Sequence, residues 1–156
     1  MAQMFQMSTI AGLQKTSSRA DDIELQSATD IPVTSCSCRD LLLELGLKPT
    51  DVVADANAVK VAGEDYRPGL FVLTEANPPT FALIQKVYVM EAKVFLLIVP
   101  WQIVEFTDRY CAYQVKPSGA SAIILRQTDL ARHGTFAPWN PWQQRSTFIA
   151  PRTIIF

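Results

Sequence analysis

The chain has 156 residues, which is the size of one domain, and 49% of them are hydrophobic while 19% are charged. That composition is typical of a globular protein and excludes a chain that stays disordered throughout. The formal net charge of −1 gives no reason to expect strong attraction to nucleic acid or anionic lipid.

The near-neutral total is the sum of two unlike halves. Up to Pro78 eleven acidic residues face six basic ones, whereas from Pro79 onward eight basic residues face four acidic ones. One interpretation is a dipolar surface on which the acidic half partly covers the basic half. The other is a surface for a polyanion, although the bases form no compact block of the kind that usually binds nucleic acid.

Residues 1–34 mix polar side chains with scattered apolar ones and show no sustained hydrophobic period. The pattern predicts a disordered, mobile N-terminal tail, followed by a single mainly β domain over residues 35–156. The first 20 residues contain no continuous apolar stretch of the kind found in secretory signal peptides. We therefore expect an intracellular protein, nuclear or cytoplasmic. A mitochondrial transit segment is the alternative, because Lys15 and Arg19 stand there without an acid.

The first regular element is predicted in SCRDLLLELGLKP, as a helix of about two turns. Ser37 is placed to cap its N-terminus, and Asp40 follows at the capping-box position. Gly46 and Pro49 then end the helix. An isolated helix this short is marginal in water, so its apolar stripe must dock on the rest of the chain. The stripe consists of Leu41, Leu42 and Leu45.

The three cysteines are Cys36, Cys38 and Cys111. The C-x-C spacing of the first two fits neither a C-x-x-C redox motif nor the usual zinc knuckle. We expect reduced, structural thiols in a reducing compartment. A zinc site would need more ligands than Cys111 and His133 could add, so no metal site is expected.

From Val52 onward the chain consists of short β-rich runs separated by turn residues. Six or seven strands at spacings of about ten residues predict a small antiparallel barrel or roll. The predicted strands are NAVKVA, LFVLT, ALIQKVYVM, VFLLIV, RYCAYQV, SAIILR and RTIIF.

Residues 77–101 contain the longest apolar stretch of the chain. Charged side chains interrupt it and β-branched residues are frequent, which argues against a transmembrane helix and against a single buried helix. A hairpin fits better, with strands over 82–90 and 94–99 joined near residues 91–93 and ended by Pro100. VFLLIV is apolar on both faces, so we expect the leucine-rich helix to cover it.

Common catalytic signatures are absent from the sequence, including nucleophile elbows, phosphate-binding glycine loops and zinc-protease motifs. Asp129 and His133 could in principle orient a general base, with Ser121, Ser146 or Cys111 as the nucleophile. The simpler interpretation is a short helical turn that starts at Asp129 and ends at Gly134. We expect neither an enzyme nor a bound cofactor.

Tryptophans beside prolines are the most suggestive feature for binding. Trp101, Trp139 and Trp142 lie in VPWQ and FAPWNPWQQR, close to Arg132 and Arg145. Prolines fix a loop while indoles supply large amphipathic contact area, as on many recognition surfaces. These five residues are the predicted site for a protein partner. The alternatives are nucleic acid stacked on the aromatic rings, or indoles that merely plug the open end of a barrel.

The order of features from Tyr66 to the C-terminus resembles a known family. YRPGLFVLTEANPPTFALIQKVYV is followed by VFLLIV, RYCAYQV, an IILR strand, a TDL turn, a histidine and a closing strand. This order resembles the β-rich C-terminal modules of transposable-element-derived animal proteins, and is loosely similar to bromo-adjacent homology domains. The resemblance implies a non-catalytic binding module on a distorted SH3-like barrel. It departs from the family because no zinc-finger pair precedes it and no methyl-lysine cage can be assigned by position.

Overall fold

The computed structural model describes residues 23–140 and 146–150, together with the backbone of residues 8–9 and 11–12. It is mainly β with one short helix, as the sequence predicted, and its sheets are antiparallel apart from the short β1–β2 pair. The strands are β1 (Ser8–Thr9), β2 (Ala11–Gly12), β3 (Ile23–Gln26), β4 (Thr29–Pro32), β5 (Val52–Ala56), β6 (Ala58–Val61), β7 (Glu64–Tyr66), β8 (Phe71–Ala76), β9 (Pro79–Met90), β10 (Lys93–Thr107), β11 (Ala112–Pro117), β12 (Ile123–Arg126) and β13 (Thr147–Ile149). The helix is α1 (Arg39–Glu44), and short 3-10 turns cover Val33–Ser35 and Gln127–Asp129.

Strands β9 and β10 form the long hairpin at the centre of the largest sheet, which confirms the predicted hairpin. A two-residue turn joins them at Glu91 and Ala92, whose φ angles of 51° and 64° are both positive, as in a type I′ turn. The predicted end of the second strand at Pro100 is wrong, because β10 continues to Thr107. On its outer side β10 pairs with β12 up to Ile98 and with β11 from Trp101 onward. Pro100 lies in the gap between these two pairings, where no outer strand needs a backbone N–H from it.

Each strand of this hairpin pairs with two different outer strands. The first half of β9 pairs with β8 and its second half with β5, while β10 pairs first with β12 and then with β11. The register of the hairpin shifts between Leu97 and Ile98, and such an irregularity bends a strand pair. Strand β4 lies beyond β5 and β13 lies beyond β11. No closed barrel is found among the described residues, so the structure supports the predicted antiparallel β fold but not the predicted barrel.

Strands β3 and β4 lie within residues 1–34, for which the sequence predicted a tail without strands. Strand β4 pairs with β5 in the large sheet, and β3 pairs with β6 in a small sheet made of β3, β6 and β7. Only Ser27, Ala28 and Asn57 interrupt the two strand pairs. The amide N–H of Asn57 donates to the carbonyl of Gln26 at 3.0 Å. These strands are short, so their order depends on pairing with strands that lie between 20 and 38 residues away in the chain.

Side chains of the central hairpin alternate between two core clusters, as the pleat of a strand requires. Val87, Val89 and Leu96 lie in a cluster that also contains Val59 and Tyr66 of the small sheet. The small sheet therefore covers one face of the hairpin.

Helix α1 covers the opposite face. Leu42 is fully buried in a cluster with Tyr88, Phe95 and Leu97, which confirms that the helix docks on VFLLIV. The predicted cap at Ser37 is wrong, because Cys38 is the N-cap and makes no side-chain capping bond. No helix among the described residues is long and apolar enough to cross a membrane.

A third cluster lies at the other end of the hairpin, where β8 and β11 flank it. Its buried members are Phe71, Phe81, Val115, Phe136 and Ile149. The closing strand predicted at RTIIF lies outside the described residues.

Candidate functional site

The Trp139 cluster, which consists of Tyr110, Trp139 and Phe148, joins a loop to the edge of the large sheet. The ring centroid of Tyr110 lies 5.2 Å from that of Trp139 and 5.3 Å from that of Phe148, both edge to face. Trp139 and Phe148 are 6.0 Å apart in the same type of contact. Phe148 is buried, whereas Trp139 is 42% exposed. The indole is therefore packed on one side and open to solvent on the other.

Backbone pairing fixes the position of this indole. The N–H of Trp139 donates to the carbonyl of Phe148 at 2.9 Å, and the N–H of Phe148 donates back at 2.8 Å. Phe148 in turn pairs with Gln114 of β11, whose Nε2 lies 3.2 Å from the hydroxyl of Ser146. The loop that carries Trp139 thus continues the sheet beyond β13, which restricts the motion of the ring.

Tyr110 reaches the cluster because β10 and β11 extend well past Pro100. The turn between these strands contains Cys111 with a φ of 50°, and Tyr110 precedes it. The guanidinium of Arg109 lies 5.4 Å from the centroid of the Tyr110 ring, within the range of a cation–π contact. The cluster therefore combines an exposed indole with an adjacent cation.

The three rings contact one another edge to face, with centroid separations of 5.2, 5.3 and 6.0 Å. A cage for a methylated ammonium group needs space between its rings, because the cation itself must lie over the ring faces. In the Trp139 cluster that space is filled by the rings themselves. Its geometry suits a contact face and not a cage.

The structure places two other predicted binding residues, Trp101 and Arg132, beside a different set of rings. Trp101 is half-buried and lies edge to face with Phe71 at 5.0 Å. The guanidinium of Arg132 lies 5.7 Å from the ring centroid of Phe136. Phe71 and Phe136 belong to the third core cluster, so these two residues cover a core instead of flanking the exposed indole. Trp142 and Arg145, the remaining predicted residues, lie outside the described residues.

A buried polar network connects the small sheet to the segment after β12. Gln127 is 4% exposed, and its Nε2 donates to the hydroxyl of Tyr66 at 3.0 Å. The same nitrogen lies 2.9 Å from Nδ1 of His133, and the N–H of Gly134 donates to the Tyr66 hydroxyl at 2.8 Å. Tyr66 itself is fully buried. The network holds residues 127–134 against the core.

His133 is engaged by this network and not by Asp129. An amide nitrogen can only donate, so Nδ1 of His133 accepts in its hydrogen bond with Nε2 of Gln127. Asp129 is exposed at the end of the 3-10 turn, which begins at Gln127 and ends before the predicted stop at Gly134. The orienting role that the sequence offered for Asp129 is thus taken by an amide.

The cysteines are free thiols, with Cys36 and Cys38 buried and Cys111 exposed. Burial raises the pKa of the Cys36 thiol above its ordinary value, and the neighbouring Cys38 raises it further. Burial also raises the pKa of Tyr88, with a hydrogen bond to Cys38 as the next cause. A thiol with a raised pKa is a poor nucleophile and a poor metal ligand. In the described part of the chain, no group of three or more metal-ligating side chains could hold an ion.

Sequence reasoning missed Phe148 and Gln127. Phe148 stands in a strand of three residues, which is too short to show an alternating pattern, and Gln127 is a single polar residue between IILR and a turn. Neither position has a local pattern that could have identified it. Comparisons of the chain with protein-family models, with curated proteins and with solved structures found no match.

Proposed function

We propose that this chain is a non-catalytic interaction module that binds a protein partner through the Trp139 cluster. The supporting observation is that Trp139 keeps 42% of its surface exposed although its backbone is paired with β13 and its ring is packed on two others. A partner that covers such a ring gains apolar contact area and has little ordering entropy to overcome. Aromatic anchors of this kind carry much of the binding energy of protein interfaces.

The finer features suggested by the resemblance belong to the same proposal. They are a distorted SH3-like roll and a role in transposon or chromatin biology. Their support is the order of strands and turns from Tyr66 onward in the sequence, together with the antiparallel strands around a central hairpin. Trp142 and Arg145, which lie outside the described residues, stay predicted contact residues, whereas Arg132 and Trp101 pack on the third core cluster.

The test compares Trp139→Ala with Phe106→Ala. Phe106 is 39% exposed and lies 5.0 Å from the Tyr113 ring. Phe106 makes a matched control because it lies on the other face of the sheet from the Trp139 cluster. Phe106 is directly opposite Tyr113, whereas Phe148 is directly opposite Gln114, and neighbouring residues of a strand point to opposite faces. Both variants should keep the far-ultraviolet circular dichroism and the cooperative urea unfolding of the wild-type chain.

We expect proteins captured by the wild-type chain and by Phe106→Ala to be lost with Trp139→Ala. For a purified captured protein, titration calorimetry should show a loss of about 2 kcal/mol in binding free energy, roughly a 30-fold weaker Kd. Equal affinity of the two variants would contradict the proposal. Unfolding of Trp139→Ala, with Phe106→Ala folded, would show that the indole serves the core.

Nucleic acid is the second candidate partner. Arg109 beside the Tyr110 ring, next to the exposed indole, is an arrangement that also suits stacking on single-stranded bases. Fluorescence anisotropy with a labelled single-stranded oligonucleotide would test this candidate. Affinity should fall steeply as salt rises if phosphates are contacted, and no binding at low salt would remove the candidate.

A further inference from the structure

A cavity of about 280 Å³ opens between the tips of two hairpins, and no residue of the Trp139 cluster lines it. One tip is the β9–β10 turn, and the other is the β6–β7 turn at Ala62 and Gly63, where both φ angles are again positive, at 50° and 86°. Strand β3 and the segment after β12 complete the walls. A cavity of roughly 150 Å³ is enough to hold benzene inside a protein, so this one has room for a ring compound.

Strand alternation and register decide which side chains face the cavity. Val61 lies two residues after Val59, which is fully buried against the central hairpin, so both side chains point toward the hairpin. Ile23 is directly opposite Val61 and shares its face. Val94 belongs to the core cluster between the hairpin and the small sheet. The side chains of Ile23, Val61 and Val94 therefore form an apolar wall of the cavity.

Two cationic residues of the lining, Lys93 and Arg126, direct their side chains the other way. Lys93 is the neighbour of Val94 on β10, and neighbouring residues of a strand point to opposite faces. Arg126 is directly opposite Phe95, which lies in the cluster beneath α1. Both charges thus lie on the α1 side, and the described lining contains no acidic residue. An ionised ligand would lose its hydration in this cavity without gaining a counter-ion.

A buried amide in the wall has an unused acceptor. Gln127 is 4% exposed, and its Nε2 donates to the Tyr66 hydroxyl and to Nδ1 of His133. Its Oε1 accepts no hydrogen bond from a described residue, although Gln127 lines the cavity. Thr128 and His133, which also line it, are exposed, so the mouth of the cavity is polar. The interior therefore combines apolar side chains with one neutral acceptor.

We propose that this cavity binds a small uncharged ring compound that carries one N–H or O–H group. The ring lies against Ile23, Val61 and Val94, where its apolar surface leaves water. The N–H or O–H group donates to Oε1 of Gln127, because a buried acceptor without a partner gains most from a donor. This site is separate from the Trp139 cluster and does not rest on the proposed function.

The test uses indole, which has an apolar bicyclic ring and one N–H. Titration followed by two-dimensional ¹H–¹⁵N NMR should give saturable shifts at the side-chain amide of Gln127 and at the backbone amides of Ala62 and Val94. A Kd on the order of 1 mM is expected for a ligand of so few atoms. Benzofuran has the same shape with an oxygen in place of the N–H, so it should bind at least about tenfold more weakly. Benzoate, a ring with a charge, should give no saturable shift.

Variants locate the binding. Val61→Phe fills the cavity and should abolish the indole shifts at Gln127. Val52→Phe is the same enlargement at an exposed valine of β5 outside the cavity, and it should leave the Kd unchanged. Gln127→Met removes the acceptor and should make indole and benzofuran bind equally. Far-ultraviolet circular dichroism and cooperative urea unfolding show whether each variant is folded.

The comparison of ligands on the wild-type chain needs no variant, so it decides the matter even if a substitution prevents folding. The proposal is overturned if indole gives no saturable shift at about 10 mM, or if benzofuran binds the wild-type chain as tightly as indole does. Tighter binding of benzoate than of indole also overturns it. So does a folded Val61→Phe variant that binds indole with an unchanged Kd.

Discussion

Removing the hydroxyl of Tyr66 is the sharpest test of the buried polar network. Tyr66 is fully buried, and its hydroxyl accepts hydrogen bonds from Gln127 Nε2 at 3.0 Å and from the Gly134 N–H at 2.8 Å. Tyr66→Phe keeps the ring and its packing, so it creates almost no cavity. It leaves two buried donors without their acceptor.

The expected cost follows from those two donors. A buried donor that loses its partner costs about 1–3 kcal/mol, so with two donors we expect Tyr66→Phe to lower the free energy of unfolding by about 2–6 kcal/mol. This is a large share of the roughly 5–15 kcal/mol by which domains are stable, yet the variant should still fold. Tyr113→Phe is the matched control, because Tyr113 is half-buried and its hydroxyl makes no hydrogen bond to the described residues.

Urea denaturation followed by circular dichroism measures the effect, and native-state hydrogen exchange at the Gly134 amide locates it. In the double variant Tyr66→Phe with Gln127→Met, one orphaned donor is gone, so the second substitution should cost less than it does alone. A change below about 0.5 kcal/mol for Tyr66→Phe, with Gly134 exchange unaltered, would refute the reasoning.

Four other predictions concern the core, the hairpin turn and the thiols. Leu42→Ala should lower the free energy of unfolding by about 2–5 kcal/mol, because the Leu42 side chain is fully buried between α1 and the central hairpin. An unchanged urea midpoint would contradict the docking of the helix. Glu91→Asn combined with Ala92→Gly should raise the Tm, corresponding to up to about 1 kcal/mol, since both positions have positive φ; a lower Tm would show that the present side chains make compensating contacts. Iodoacetamide at about pH 8 should modify Cys111 well before Cys36, as peptide mass spectrometry would show, and equal rates would contradict the burial. Because the pKa of Cys36 is raised in the folded state, stability should fall as pH rises above the model-compound value of 9.0.

Local patterns predicted the elements that carry their own signal. The hairpin of β9 and β10 follows from two apolar, β-branched runs around a short charged interval, and α1 follows from its leucine stripe. The same reasoning missed β3 and β4, whose polar sequences become strands only by pairing with β6 and β5. The same reasoning ended β10 too early, at Pro100. A proline can lie inside β10 there because the outer partner changes from β12 to β11 at that point, and the sequence of β10 alone does not show this.

The candidate site was predictable only at single positions. The proline–tryptophan pattern identified Trp139 as a ring worth attention, but its partners Tyr110 and Phe148 come from the β10–β11 turn and from the edge strand β13. The pattern also grouped Trp101 with Trp139, whereas the structure packs Trp101 on Phe71. Whether an indole packs on a core or stays exposed depends on which part of the sheet its segment reaches, and no spacing in the sequence records that.

By itself the sequence determined a mainly β chain, a central hairpin and a helix that must dock on it, because hydrophobic period and turn chemistry are properties of neighbouring residues. Tertiary structure alone decided which polar groups meet. Gln127 and Tyr66 are 61 residues apart in the chain, yet their side chains share a hydrogen bond. Such encounters are fixed by strand order and register, which the whole fold must satisfy together, so they cannot be deduced from any local segment.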